Sequence, residues 1–66
     1  MRIEIKVKEI RIQKNMSLAK LSERTGLSTT HINDVENGLK EPGIRVLVLL
    51  AKALKVPITD LYKVIW

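Results

Sequence analysis

The stretch Thr25 to Leu39, TGLSTTHINDVENGL, is rich in uncharged hydrogen-bonding side chains: three threonines, a serine and two asparagines. At 100° per residue its second half is a short amphipathic helix. Ile32 and Val35 point to one side; Thr30, Asn33, Asp34 and Asn37 point to the other. Amides, a hydroxyl and one carboxylate on an outward face suit donor and acceptor matching rather than bond making. Nothing nearby supplies a nucleophile and base pair, paired carboxylates or a Gly-rich phosphate loop, so an enzyme is rejected. His31 is the only histidine and cysteine is absent, which leaves no metal-ligand set and no disulfide. No cofactor is expected.

Elements that hold this face can be read from punctuation and periodicity. Ser28 is placed to cap the helix and Asn37-Gly38 to end it. Upstream, Ser17 caps another helix that runs to about Arg24, with Leu18, Leu21 and Ser22 inward. Gly26 stands where a positive φ would turn the chain, and Leu27 dips back into the core. Val7, Ile10 and Lys14 mark a first helix, closed near Asn15. Pro42 and Gly43 break the chain before a fourth helix from Ile44 to Leu54. Pro57 ends that helix, and Ile58 to Leu61 can form a last helical turn. In the fourth helix the inner face is assigned to Ile44, Leu47, Val48, Leu50, Ala51 and Leu54. Val46, Leu49 and Ala53 form a second apolar stripe behind it. Ile12 is a further apolar residue on an outer position of the first helix.

Both ends alternate. RIEIKV sets Ile3, Ile5 and Val7 against Arg2, Glu4 and Lys6, and YKVIW at the other end is β-branched and aromatic. Two readings stand: the ends pair as a two-stranded ribbon, or the first residues begin helix one and the last ones fray. In the ribbon, Ile3, Ile5, Val64 and Trp66 would pack across, and Trp66 is expected to be covered.

The 66 residues make one domain the sensible count, and leave no room for an effector domain. A chain of this size buries only about 60% of its unfolded surface, so packed helices, a partner copy or both must stabilise it. Hydrophobic residues are 45% of the chain, enough for a core, but no run approaches the ~18 residues of a membrane span. The N-terminus lacks the apolar region of a signal peptide, so a cytoplasmic setting is expected. Twelve Lys and Arg against seven Asp and Glu give a net charge of +5. That charge fits attraction to phosphates or simply a solvated surface, and does not decide between them.

Two helices joined at a tight turn, the second presenting polar side chains, is a helix-turn-helix layout, here spanning about residues 17–38. From about Val7 to Tyr62 the sequence resembles the Cro/C1-type helix-turn-helix regulators, the xenobiotic-response-element family. MSLAKLSERTGLS, HINDVENG and LAKALKVPITDLY carry the resemblance. It implies an all-α, five-helix, lambda-repressor-like domain that binds double-stranded operator DNA, usually as a homodimer. The implied function is sequence-specific transcriptional regulation, read as repression, with the helix from Ser28 to Asn37 in the major groove of a roughly palindromic operator.

The resemblance further implies base contacts at Ser28, Thr29, Thr30, Asn33 and Asp34. It places phosphate contacts at Ser17, Leu18, Asn37, Leu39 and Lys40, and a partly buried ion pair between Arg11 and Glu36. Leu18 stands where Gln is common, Ser22 where Ala is common, Asp34 where Arg is frequent, and Leu39 where Lys or Arg is frequent. Two phosphate-binding cations are therefore missing, and Lys14, Lys40 and Arg45 are candidates to compensate. Asp34 can accept a hydrogen bond from a cytosine amino group or turn back toward a Lys or Arg. His31 reads as a packing or phosphate-flanking residue. The missing cations and the apolar fourth helix motivate a different function: a protein-interaction module, such as an antitoxin that binds a partner protein and can also bind its own operator.

Overall fold

The computed structural model describes all 66 residues. The chain runs β1 (Arg2–Ile5), α1 (Val7–Gln13), α2 (Leu18–Thr25), α3 (Thr29–Glu36), α4 (Ile44–Leu54), one 3-10 turn (Ile58–Leu61) and β2 (Tyr62–Ile65). There are thus four α-helices rather than the five implied above. The fifth is a four-residue turn, because Pro57 starts it and the chain is already extended at Tyr62.

Each helix end has a local cause. Ser17 and Ser28 cap α2 and α3, their hydroxyls accepting from the N–H groups of Lys20 and His31, each at 3.0 Å. At the far ends the chain turns through left-handed backbone at Asn15, Gly26, Gly38 and Lys55. After α3, Gly38 N–H donates to Val35 and Leu39 N–H donates to Asp34, satisfying carbonyls that the helix leaves unpaired. The same paired closure ends α1 at Asn15 and α4 at Lys55.

All the helical elements feed one core: Val7 from α1, Leu21 from α2, Ile32 from α3, Leu50, Ala51 and Leu54 from α4, and Leu61 from the 3-10 turn. No buried side-chain nitrogen or oxygen lacks a partner. On α4 the inner stripe keeps Leu47, Leu50, Ala51 and Leu54 but loses Ile44 and Val48, while Val46 and Ala53 of the second stripe join it. Val46, Leu47 and Ala53 pack against the core, whereas Ile44 and Val48 are exposed at 71% and 52%. The reason is the direction from which α2 and the 3-10 turn approach α4. Helical periodicity gives the angle between stripes, not which of two apolar stripes a neighbour covers.

The chain ends do pair. β1 and β2 are antiparallel, with Ile3 opposite Val64 and Ile5 opposite Tyr62. These four residues share one face of the ribbon, and Ile5 reaches the core. Lys6 N–H donates to the Leu61 carbonyl at 2.7 Å and ties the ribbon to the last turn. Trp66 is not covered; it is 92% exposed, one residue past the last pair of the ribbon, Arg2 with Ile65.

Candidate nucleic-acid interface

α2 and α3 form an elbow around Gly26, whose φ of +77° is open to glycine at little cost. Two side chains lock that turn. The Ser22 hydroxyl donates to the Leu27 carbonyl. The Thr25 hydroxyl donates to the Leu21 carbonyl at 2.8 Å and accepts from Leu27 N–H at 3.2 Å. The sequence points Ser22 inward on α2 and gives no sign of Thr25's part, since neither bond is visible until the turn closes.

α3 is pinned by Ile32 and Val35, both fully buried, and its other side is open. Ser28, Thr29, Thr30, Asn33 and Asn37 are exposed, while Asp34 and His31 are half-buried and the Glu36 side chain is turned inward. Asn37 donates from its side-chain amide to Asn33 Oδ1 at 3.1 Å. Asn33 is therefore held in one orientation by a residue one turn later. The i, i+4 spacing on the shared outward face was the available signal for this bond. Asp34 turns toward Lys40, whose ammonium lies 3.9 Å from its carboxylate. That pair is long and exposed at the lysine, so it contributes little, ~0–1 kcal/mol.

Behind the exposed face lies a bidentate ion pair. Arg11 Nε donates to Glu36 Oε2 at 2.7 Å and Nη2 to Oε1 at 3.1 Å, while Nη1 donates to the Met16 carbonyl at 2.9 Å. The two side chains are 12% and 2% exposed. One guanidinium so joins α1, the α1–α2 turn and α3. The hydrogen bonds that Arg11 donates to Glu36 raise its pKa above its ordinary value; desolvation opposes this and Coulomb attraction adds to it. Ser17, Leu39 and Lys40 are exposed and Leu18 half-buried, at the start of α2 and just after α3. These two stretches lie at the ends of the elbow. No group of three acidic, histidine or cysteine side chains is arranged to hold a metal ion.

The sequence model of the family described as Helix-turn-helix matches residues 7–61. The chain belongs to the Cro/C1-type helix-turn-helix family. This is a family of DNA-binding transcriptional regulators rather than a class of enzymes. This helix-turn-helix domain is 42% identical over 48 residues to an uncharacterized HTH-type transcriptional regulator of Mycobacterium tuberculosis, covering 73% of this chain and 34% of that protein. It is 46% identical over 43 residues to a similarly named protein of Sinorhizobium fredii, covering 65% of this chain and 22% of that one. The chain thus spans about a third or less of the length of these relatives. Among solved structures it resembles the restriction-modification controller protein C.AhdI from Aeromonas hydrophila, with a TM-score of 0.80, 25% identity and 83% of each chain covered. No helix is long and apolar enough to cross a membrane.

Proposed function

We infer that this helix-turn-helix domain is a sequence-specific transcriptional regulator, acting as a repressor on a roughly palindromic operator. The observation that carries the reading is α3 itself. Its buried side is nailed to the core by Ile32 and Val35, and its free side presents a continuous row of Thr29, Thr30, Asn33 and Asn37. Asn33 can pair bidentately with adenine, and the Thr30 methyl can meet a thymine methyl. Ser28 and Thr29 enter the groove first. Asp34 accepts from a cytosine amino group once Lys40 leaves it for a phosphate.

Backbone contacts fall on both sides of the groove. The capped N-terminus of α2, at Ser17 and Leu18, offers N–H groups to one phosphate. Asn37, Leu39 and Lys40 follow α3 and meet the next stretch of backbone. The Arg11–Glu36 pair fixes α3 against α1 and touches no DNA.

The test is selection of duplexes from a random pool on immobilised protein, followed by titration of the enriched sequence over a salt series. Enrichment of one inverted repeat and a steep fall of log K with log salt support the reading. No enrichment, or a slope near zero, sinks it. The exposed Ile44 and Val48 favour a second reading, a module that binds another protein; a stoichiometric partner with no affinity for any duplex would establish it.

A further inference from the structure

Asn37, Gly38, Leu39 and Lys40 follow α3 directly, and their backbone N–H groups are all spent inside the turn. Asn37 N–H donates to the Asn33 carbonyl at 3.0 Å and Gly38 N–H to that of Val35 at 3.2 Å. Leu39 and Lys40 both donate to the Asp34 carbonyl, at 2.9 and 3.3 Å. A phosphate only accepts hydrogen bonds, so this stretch can bond one only through side chains. Asn37 has an amide for that purpose and Lys40 an ammonium. Leu39 has no donor left for the phosphate that the family resemblance assigns to it.

Leu39 is nonetheless 73% exposed. It does not pack against the core, whereas Leu18, at the other end of the elbow, does. Nor does it line the surface depression bounded by its neighbours Gly38 and Lys40 and by Met1 and Ile3 of the ribbon, so its side chain is turned away from that hollow. The loop beneath it is firm: the bonds to Asp34 and the Asp34–Lys40 pair close it, and Gly38 carries it through left-handed backbone at φ +74°. A large apolar side chain is thus held in water just past the outward row of Thr30, Asn33 and Asn37.

We propose, resting on the DNA-binding reading, that Leu39 contacts an apolar group of the duplex, so that a desolvating contact stands where a charged one is usual. The duplex offers two such groups beside a helix in the major groove: the C5-methyl of thymine and the C–H face of deoxyribose. Burying leucine against either releases water rather than counterions. On a thymine methyl, Leu39 adds a base pair to those assigned to α3; on a sugar, it adds affinity without sequence preference.

The test titrates the duplex enriched from the random pool with unaltered protein, Leu39→Ala and Leu39→Lys over a salt series, with circular dichroism to check that each variant keeps its helices. Leu39→Ala is expected to bind about tenfold more weakly, the worth of roughly two buried methylene groups, with the slope of log K against log salt unchanged. Leu39→Lys is expected to steepen that slope by about 0.9. Each thymine is then replaced in turn by deoxyuridine, which removes only the methyl. One position that costs the unaltered protein about fourfold, and Leu39→Ala nothing, marks the thymine methyl as the contact. No such position, with the tenfold loss kept, marks the sugar. Unchanged affinity of Leu39→Ala, or a slope flattened by it, overturns the proposal and leaves DNA binding standing. If the unaltered protein binds no duplex, both fall together.

Discussion

Arg11 and Glu36 show how much one pair of side chains can hold. The carboxylate is almost wholly removed from water, and the guanidinium is its compensating charge. Arg11→Ala is expected to destabilise the fold by ~3–5 kcal/mol in urea denaturation, because it strands a buried carboxylate and frees the Met16 carbonyl. The pair predicts little pH dependence. A guanidinium whose folded pKa is raised contributes its full stability below its ordinary value and loses it only as pH rises beyond that. Stability from this group is therefore flat between roughly pH 6 and 9, which melts across that window check. On the outward face the expectation is reversed, with function lost and fold kept. Thr30→Ala and Asn33→Ala are expected to change stability by less than about 0.5 kcal/mol. Each is expected to give up ~1–3 kcal/mol of base discrimination, measured by competition between operator variants. In the DNA-binding reading, Asn37→Ala is expected to weaken discrimination at the base assigned to Asn33, since it removes that side chain's orienting bond. In the same reading Asp34→Asn, which frees Lys40 and removes a repulsive charge, is expected to raise affinity for any duplex and lower preference at the base pair assigned to Asp34.

Helices of seven to eleven residues are too short to stand alone, and their ends matter accordingly. Ser28→Ala removes the acceptor for His31 N–H and is expected to cost about 1 kcal/mol of stability, read as a lower melting temperature. Lys55 closes α4 with φ of +59°, a conformation unfavourable to any side chain with a Cβ. Lys55→Gly is expected to stabilise the protein by about 1 kcal/mol in the same assay. Serines 17 and 28, Gly26 and the Asn-Gly pair were legible because a cap or a left-handed turn asks for those residue types locally. Lys55 was not, since lysine carries no such signature and Pro57 already accounted for the end of the helix. The fifth helix was overread for a related reason: the resemblance supplied a helix, but four residues between Pro57 and an extended Tyr62 close only a 3-10 turn.

Across the whole molecule, a chain with a net charge of +5 has to be judged by its response to salt. In the DNA-binding reading, log K falls by about 0.9 per phosphate neutralised for each unit of log salt. Lys40→Ala is expected to flatten that slope by about one such contact without changing which sequence binds best.

Helix positions, the capped elbow and the outward polar row of α3 were determined by the sequence alone, because each follows from the type and spacing of residues close along the chain. Distant choices fell to the tertiary structure. It decided that Val46 and Ala53 rather than Ile44 and Val48 meet the core, that Asp34 leans on Lys40, and that Trp66 stays in solvent. Periodicity fixes the angle between two stripes on a helix, but the direction from which a neighbour approaches selects the stripe it covers. That direction is set by residues tens of positions away.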